Sequence, residues 1–221
     1  MTQKPTVVFD FDGTIIPKDS YYDFTKRLIS KSFFRVFLNI LCLPLIVPLV
    51  CIPPTRKWGF SIPCFLATVL QSSSLFKLRK EFVKWFLKEP NTNIYQQALE
   101  DIKRHQSEGK EVVIISGCPK WLLQALVKAI GIRNVQIIGS KQKLLLSGLV
   151  ITHHCYGANK ISMATEAGQL TSNWMIGYSD SPTDIPMLNL CKKAVLINSS
   201  SSASNQFKKK LNISYTHRTY R

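Results

Sequence analysis

Apolar positions along this chain follow two regimes. Residues 6–20 and 107–198 contain short, β-rich apolar runs that alternate with amphipathic stretches, and a long segment between them lacks that alternation. Val7-Val8-Phe9 stops at Asp10, which predicts a buried strand opening into a loop at Asp10–Thr14. Glu111–Ile115 predicts a second strand ending at Ser116-Gly117. Pro119 suits a first helical turn, and Trp121–Ile130 runs on to Gly131, a natural helix stop. Val135–Ile138 predicts a strand, and Leu144–Thr152 a hairpin around Ser147-Gly148. Ile161–Ala167 predicts a helix ended by Gly168, and Trp174–Tyr178 a strand that opens into a loop at Ser179–Asp184. A short helix at Ile185–Cys191 and a strand at Ala194–Ile197 close the series. Ser199–Ser202 reads as a polar linker into a basic tail. Strands alternating with helices predict an α/β fold with a parallel sheet.

The intervening residues look helical throughout and interrupt the core after its first strand. They predict an inserted helical cap at 17–105, with the core formed by 1–16 and 106–221. Val36–Thr55 contains no charge, nor does Trp58–Phe76, and only Arg56-Lys57 separates them. Each run is long enough to span a bilayer, although Pro44, Pro48, Pro53, Pro54 and Pro63 break them up. Topology limits the options, because Asp10 precedes the stretch while Ser116, Lys160 and Asp180 follow it. A single span would separate groups that must meet. A two-span hairpin would carry Arg56-Lys57 to the far side, against the positive-inside tendency. A re-entrant or interfacial helical pair fits better. Lys26, Arg27, Lys31 and Arg35 flank one end, and Lys77, Arg79, Lys80 and Lys84 the other, as an anionic membrane surface would require.

Composition narrows this picture. A chain of 221 residues with 45% hydrophobic residues and mean hydropathy +0.03 can bury a sizeable core. Lys plus Arg number 29 against 13 Asp plus Glu, a net charge of +16, which favours polyanionic partners. The excess is spread evenly, so no isolated basic domain points to nucleic acid, and none is expected as a partner. The aromatics near basic residues at Tyr21, Tyr22, Phe24, Phe33 and Phe34 are explained by helical packing. Six cysteines show no C-x-x-C pair and no zinc spacing, and with no secretory leader read before the first strand they predict free thiols. His153 and His154 are adjacent, would face opposite ways on a strand, and read as structural.

Outside residues 15–110 the acids are only Asp10, Asp12, Glu111, Glu166, Asp180 and Asp184, and four of these lie at two strand ends. Asp10-Phe11-Asp12-Gly13-Thr14 places two carboxylates two apart, one suited to be a nucleophile and the other a general acid and base. A calcium loop is the alternative, but later oxygen ligands are missing. Ser116-Gly117 ends a strand before a helix, where a hydroxyl and backbone N–H groups can hold phosphate, although Ser is also a common helix cap. Lys160 at a helix start opposes the helix dipole unless an anion accompanies it. Asp180 and Asp184, four apart after a strand, can complete an oxygen-ligand metal site or cap the next helix.

Acid pair, Ser, Lys, acid pair, in that order, resembles the motif series of the haloacid dehalogenase superfamily. The match covers residues 6–20 and 107–198. The resemblance implies a Rossmann-like parallel sheet core with a helical cap inserted after the first strand, and phosphatase chemistry. Asp10 would take up the phosphoryl group. Asp12 would protonate the leaving alcohol and then activate water. Ser116, Gly117 and Lys160 would bind phosphoryl oxygens. Asp10, Asp180 and the backbone carbonyl of Asp12 would hold Mg²⁺, with Asp184 ligating through water or orienting Lys160. The last motif departs from the usual Gly-Asp-Gly, since this chain has Ser179-Asp180-Ser181. The position of the insert is similar to the cap of the phosphoserine phosphatase-like branch. Its length and apolarity, with Phe82-Val83-Lys84-Trp85-Phe86 and Tyr178-Ser179-Asp180-Ser181, resemble the phosphatidylglycerophosphatase C family. That likeness implies a phospholipid phosphate ester as substrate, handled at the cytoplasmic face of the inner membrane. A cytoplasmic phosphatase for phosphoserine or another small metabolite is the nearest rival, and a non-catalytic membrane-binding module is a third reading.

Overall fold

The computed structural model describes residues 4–69, 74–88 and 94–221, so part of the second charge-free run, 70–73, lies outside them. In chain order the elements are β1 (Thr6–Phe9), α1 (Ser20–Ser30), α2 (Phe33–Leu41), α3 (Leu43–Cys51), α4 (Arg56–Thr68), α5 (Leu75–Phe86), α6 (Gln96–Ser107), β2 (Glu111–Pro119), α7 (Lys120–Ala129), β3 (Gln136–Leu145), β4 (Gly148–His153), α8 (Asn159–Glu166), β5 (Trp174–Ser179), α9 (Ile185–Leu188), β6 (Lys193–Ile197), α10 (Ser201–Lys210) and β7 (Ser214–Arg218). The strands form one sheet in the order β4-β3-β2-β1-β5-β6-β7, parallel except for the β3–β4 hairpin. β1 lies at its centre. Its two-residue period sends Val7 and Phe9 into the apolar layer beneath α6 and α7, and Val8 into the layer beneath α8, α9 and α10.

Three expectations change. The strand at 135–138 and the first arm of the hairpin are one strand, β3, and the hairpin turns at Leu146-Ser147, where φ is +46° and +67°. Ser199–Ser202 is not a linker. Ser200 accepts a hydrogen bond from the Ala203 backbone N–H at 3.2 Å and starts α10, and β7 then adds a parallel edge strand to β6. Helix α6, placed within the insert by sequence, packs on β2. The Arg218 Nη1 donates to both Asp101 carboxylate oxygens, at 3.1 and 2.8 Å, and the Tyr220 hydroxyl also donates to Asp101, which ties the C-terminal segment to α6.

The insert is helical as expected, but it divides. α1 and α5 contribute Phe24, Leu28, Leu78, Phe82 and Phe86 to the core layer, with the Phe24 ring edge-on to Trp121 at 5.4 Å. α4 lies across the edge strand β4. There the Ser61 and Thr68 hydroxyls accept the Ile151 and Leu149 backbone N–H groups at 2.9 and 2.8 Å, so an exposed sheet edge is covered by a helix. α2 and α3 are bent by 60° to one another; α3 packs on α4 and α2 touches α1 and α4, while their outer faces leave most of their large apolar side chains in solvent. All six cysteines are free thiols.

Candidate active site

The parallel strands β1, β2 and β5 end together, and the chain leaves β1 and β5 towards opposite faces, which opens a crevice at their carboxyl ends. Asp10, Asp12, Ser116, Gly117, Lys160, Asp180 and Asp184 all line this one pocket, of about 320 Å³. Residues as distant in sequence as Asp10 and Asp184 therefore meet, as the motif order predicts.

Lys160 is the hub. Its ammonium donates to Asp10 Oδ1 at 2.7 Å and to Asp184 Oδ2 at 2.8 Å, and all three side chains are buried. Burial alone would lower the Lys160 pKa, but the two carboxylates outweigh it and hold the ammonium protonated. Burial pushes the Asp10 carboxyl well above the usual range, Asp184 and Asp180 add to this, and Lys160 opposes it. Among the described residues Asp12 accepts from neutral donors only. The Ser20 backbone N–H reaches its Oδ1 at 2.8 Å and the Ser116 hydroxyl its Oδ2 at 3.1 Å. Burial, reinforced by the Asp19 charge, pushes Asp12 up to about 7. The two acids of the first motif thus differ: one faces a fixed ammonium, and the other is poised to exchange a proton near neutrality.

Gly13 is required by the geometry. Its φ is +81°, and a Cβ there would stand 2.3 Å from Asp180 Oδ2, so only glycine lets the Asp180 carboxylate lie over the loop. Thr14 completes the link, its hydroxyl donating to Asp180 Oδ1 at 3.2 Å and accepting from the Asp180 N–H at 3.1 Å. The serines that replace glycines in the last motif add contacts. The Ser179 hydroxyl donates to Asp184 Oδ2 at 2.7 Å and accepts from the Ser181 N–H at 3.1 Å.

The donors suit a small divalent cation. Asp184 Oδ1 is buried without a partner, and the Asp10 and Asp184 carboxylates share one ammonium. Among the described residues no three carboxylate, imidazole or thiolate groups form a closed cluster, and Lys160 stands between Asp10 and Asp184. Mg²⁺ keeps several waters and needs only one or two carboxylates, and Asp10, Asp180 and the Asp12 carbonyl would be its ligands here.

Comparison with known proteins places the chain in a family. Residues 7–189 match the family model of haloacid dehalogenase-like hydrolases. The chain belongs to that family. It is accordingly an enzyme of the hydrolase class. Among solved structures, a protein of unknown function from Bordetella pertussis Tohama I is similar over 96% of this chain and 98% of its own, at TM-score 0.71 and 15% identity. A substrate-bound phosphoserine phosphatase is similar over 97% of this chain and 94% of its own, at TM-score 0.60 and 14% identity. A phosphoserine phosphohydrolase-like protein from Francisella tularensis matches at TM-score 0.57 and 16% identity, over 94% and 99% of the two chains. These likenesses extend across the insert as well as the hydrolase core.

The site also holds residues whose parts were not read from sequence. Thr14 and Ser179 orient the acids, and Tyr156 and Thr183 complete the wall. His153 and His154 differ in place: His153 is exposed, whereas His154 lies beside the Ser116-Gly117 turn, since a side chain at Gly117 would come within 3.7 Å of its Nε2. Thr14 and Ser179 are close in sequence to motif acids, which was the available signal. His154 and Tyr156 carry none.

Proposed function

We propose that this hydrolase is a phosphatase that cleaves a phosphate monoester through an aspartyl-phosphate on Asp10, and that its substrate is a phospholipid phosphate. The observation that carries the reaction is geometric: the Lys160 ammonium donates to Asp10 at 2.7 Å, whereas Asp12, on the same pocket, accepts from the Ser20 N–H and the Ser116 hydroxyl. An Asp10 carboxylate oxygen attacks phosphorus, the bond to the alcohol oxygen breaks, and Asp12 gives that oxygen its proton. Asp12 then takes a proton from water as the water attacks phosphorus, releasing inorganic phosphate and the Asp10 carboxylate. Lys160, the Ser116 hydroxyl and the Gly117 backbone hold the phosphoryl oxygens, and Asp184 with Ser179 keeps Lys160 in place. Bound Mg²⁺, held by Asp10, Asp180 and the Asp12 carbonyl, would supply the positive charge that lets an anion approach an anion.

Two features of the insert support the lipid. Phe33, Phe37, Ile40, Leu41, Leu45 and Val47 of α2 and α3 are exposed. No single helix among the described residues is long and apolar enough to cross a membrane, and the bent α2–α3 pair meets the length and composition requirement only when its two helices are taken together. Beneath the pair lies a mostly apolar cavity of about 510 Å³, lined by Ile29, Ile46, Val50, Phe60 and Pro63, and it reaches Asp19, which also lines the catalytic pocket. An aliphatic chain could extend from the scissile phosphate into it. The site would then work at an anionic membrane surface, on the cytoplasmic face of an inner membrane. The test is phosphate release with Mg²⁺ from phosphatidylglycerophosphate, phosphatidate, phosphoserine and an aryl phosphate. Preference for the lipids is expected, and preference for phosphoserine would instead favour the small-metabolite reading, which the fold likeness to phosphoserine phosphatases recommends.

A further inference from the structure

The catalytic pocket shares a wall with a second, larger one. This second pocket, of about 620 Å³, opens between the start of α4 and the turn before α8. Arg56, Lys57, His154 and Asn159 line it, and Tyr156 and Thr183 line both pockets. The Arg56 Nε donates to the Val50 carbonyl at 3.0 Å, and the guanidinium lies over the Tyr156 ring, 4.9 Å from its centroid. His154 stacks on the same ring, 5.3 Å from the Tyr156 centroid at an interplanar angle of 16°, and abuts Phe60 edge-on. Neither Arg56 nor Lys57 makes an ion pair among the described residues. The one acid on the lining, Glu166, is engaged by Lys141 at 2.9 Å. Two cations, an imidazole and an amide therefore face a cavity with no unpaired anion, next to a site built for phosphate. The pair Arg56-Lys57 is also what interrupts the apolar insert, and the catalytic machinery leaves it unused.

We propose that this pocket is a second anion subsite, which receives a further phosphate or phosphodiester carried on the alcohol side of the same substrate whose monoester lies against Asp10. An arginine placed over an aromatic ring, with its Nε tied to a carbonyl, is held ready to grip phosphate oxygens with its remaining N–H groups, and Lys57, whose ammonium lies 5.2 Å from the Trp58 ring centroid, adds a second positive charge. Both contacts persist from bound substrate to transition state, so they act mainly through KM. The proposal rests on Asp10 cleaving a phosphate monoester. A headgroup of a neighbouring lipid has the same chemistry, and soluble probes without membranes separate the two sources.

The experiment compares alkane-α,ω-diol bisphosphates, from propane to octane, with the monophosphates of the same alcohols, at fixed ionic strength with Mg²⁺. For at least one chain length the bisphosphate should be preferred in kcat/KM by about tenfold or more, above the statistical advantage of about twofold for two phosphates. Arg56→Gln and Lys57→Gln should each shrink that ratio, with Arg56→Lys retaining part of it. Using a ratio cancels any loss of folded protein. A wild-type ratio no greater than the statistical one, or a ratio unmoved by both substitutions, overturns the subsite. If Arg56→Gln does not fold, inhibition of the wild type by bisphosphonates and monophosphonates of equal length decides, and equal potency overturns it. If neither ester class is cleaved, the phosphatase reading fails, and calorimetric binding of the two phosphonates still tests the subsite alone.

Discussion

The catalytic end of the sheet and the α2–α3 pair depart from ordinary protein structure in opposite ways. The first buries charge: Asp10, Lys160 and Asp184 are 6%, 3% and 1% exposed. The second exposes apolar surface: Phe33 is 88% exposed and Leu41 65%. Water resists both, since buried charges lose hydration and apolar side chains in solvent forfeit the hydrophobic gain. The charged end is held because Lys160 compensates two carboxylates and its hydrogen bonds are nearly complete. Most of the large apolar side chains of α2 and α3 have no such cover among the described residues. On the function proposed above, a partner of opposite character would relieve each region, a cation and a phosphate for the first and an apolar phase for the second. The two regions also differ in how they are built: the site assembles from three strand ends and the start of α8, far apart in sequence, and the pair from neighbouring residues.

The contrast can be broken first at its charged end. Asp10→Asn should reduce turnover to below a few per cent with the fold intact, because an amide is nearly isosteric but a poor nucleophile. Phosphate release alongside circular dichroism checks this, and substantial residual activity would remove the covalent step. Lys160→Met should be the most destabilising of these changes, by about 3–5 kcal/mol, since it leaves Asp10 and Asp184 buried without a counter-charge. Denaturant titration without metal measures it, and added Mg²⁺ should recover part of the loss.

At the apolar end, Leu45→Glu and Val47→Glu should change stability by no more than about 0.5 kcal/mol, because both side chains are more than half exposed. Each should nevertheless weaken sedimentation with anionic vesicles and lower turnover of a phospholipid phosphate, while hydrolysis of an aryl phosphate persists. Equal loss on both substrates would mean that the residue holds the insert together. The smallest effect lies between the regions. Asp19→Asn keeps the cap on the Tyr22 N–H but removes the charge that raises Asp12. Asp12 must be protonated to serve the leaving alcohol, so the alkaline limb of kcat/KM should move to lower pH, by less than about one unit. A stationary limb would assign it to another group.

Much of this protein is written locally. Val7-Val8-Phe9 ending at Asp10 and Glu111–Ile115 ending at Ser116 could be read because strand burial has a period of two and polar loop residues mark where each strand stops. Asp10, Asp12, Ser116, Lys160, Asp180 and Asp184 were legible because their types and order carry the chemistry, and charge-free length marked the insert. Local pattern could not reveal β7, whose Ser-Tyr-Thr-His-Arg is a polar edge strand, or α10, which buries only Ala203 and Phe207. Nor could it show which faces of the insert are covered: amphipathic α1 and α5 bury Phe24, Leu28, Leu78, Phe82 and Phe86 in the core, whereas α2 and α3 leave most of their large apolar side chains bare. The grip of Thr14 on Asp180, 166 residues away, and the meeting of Arg56 with Tyr156 likewise arose only in three dimensions. Periodicity records which face of an element is buried. Which distant element covers that face, or leaves it bare, is decided by how the sheet and its helices close on one another.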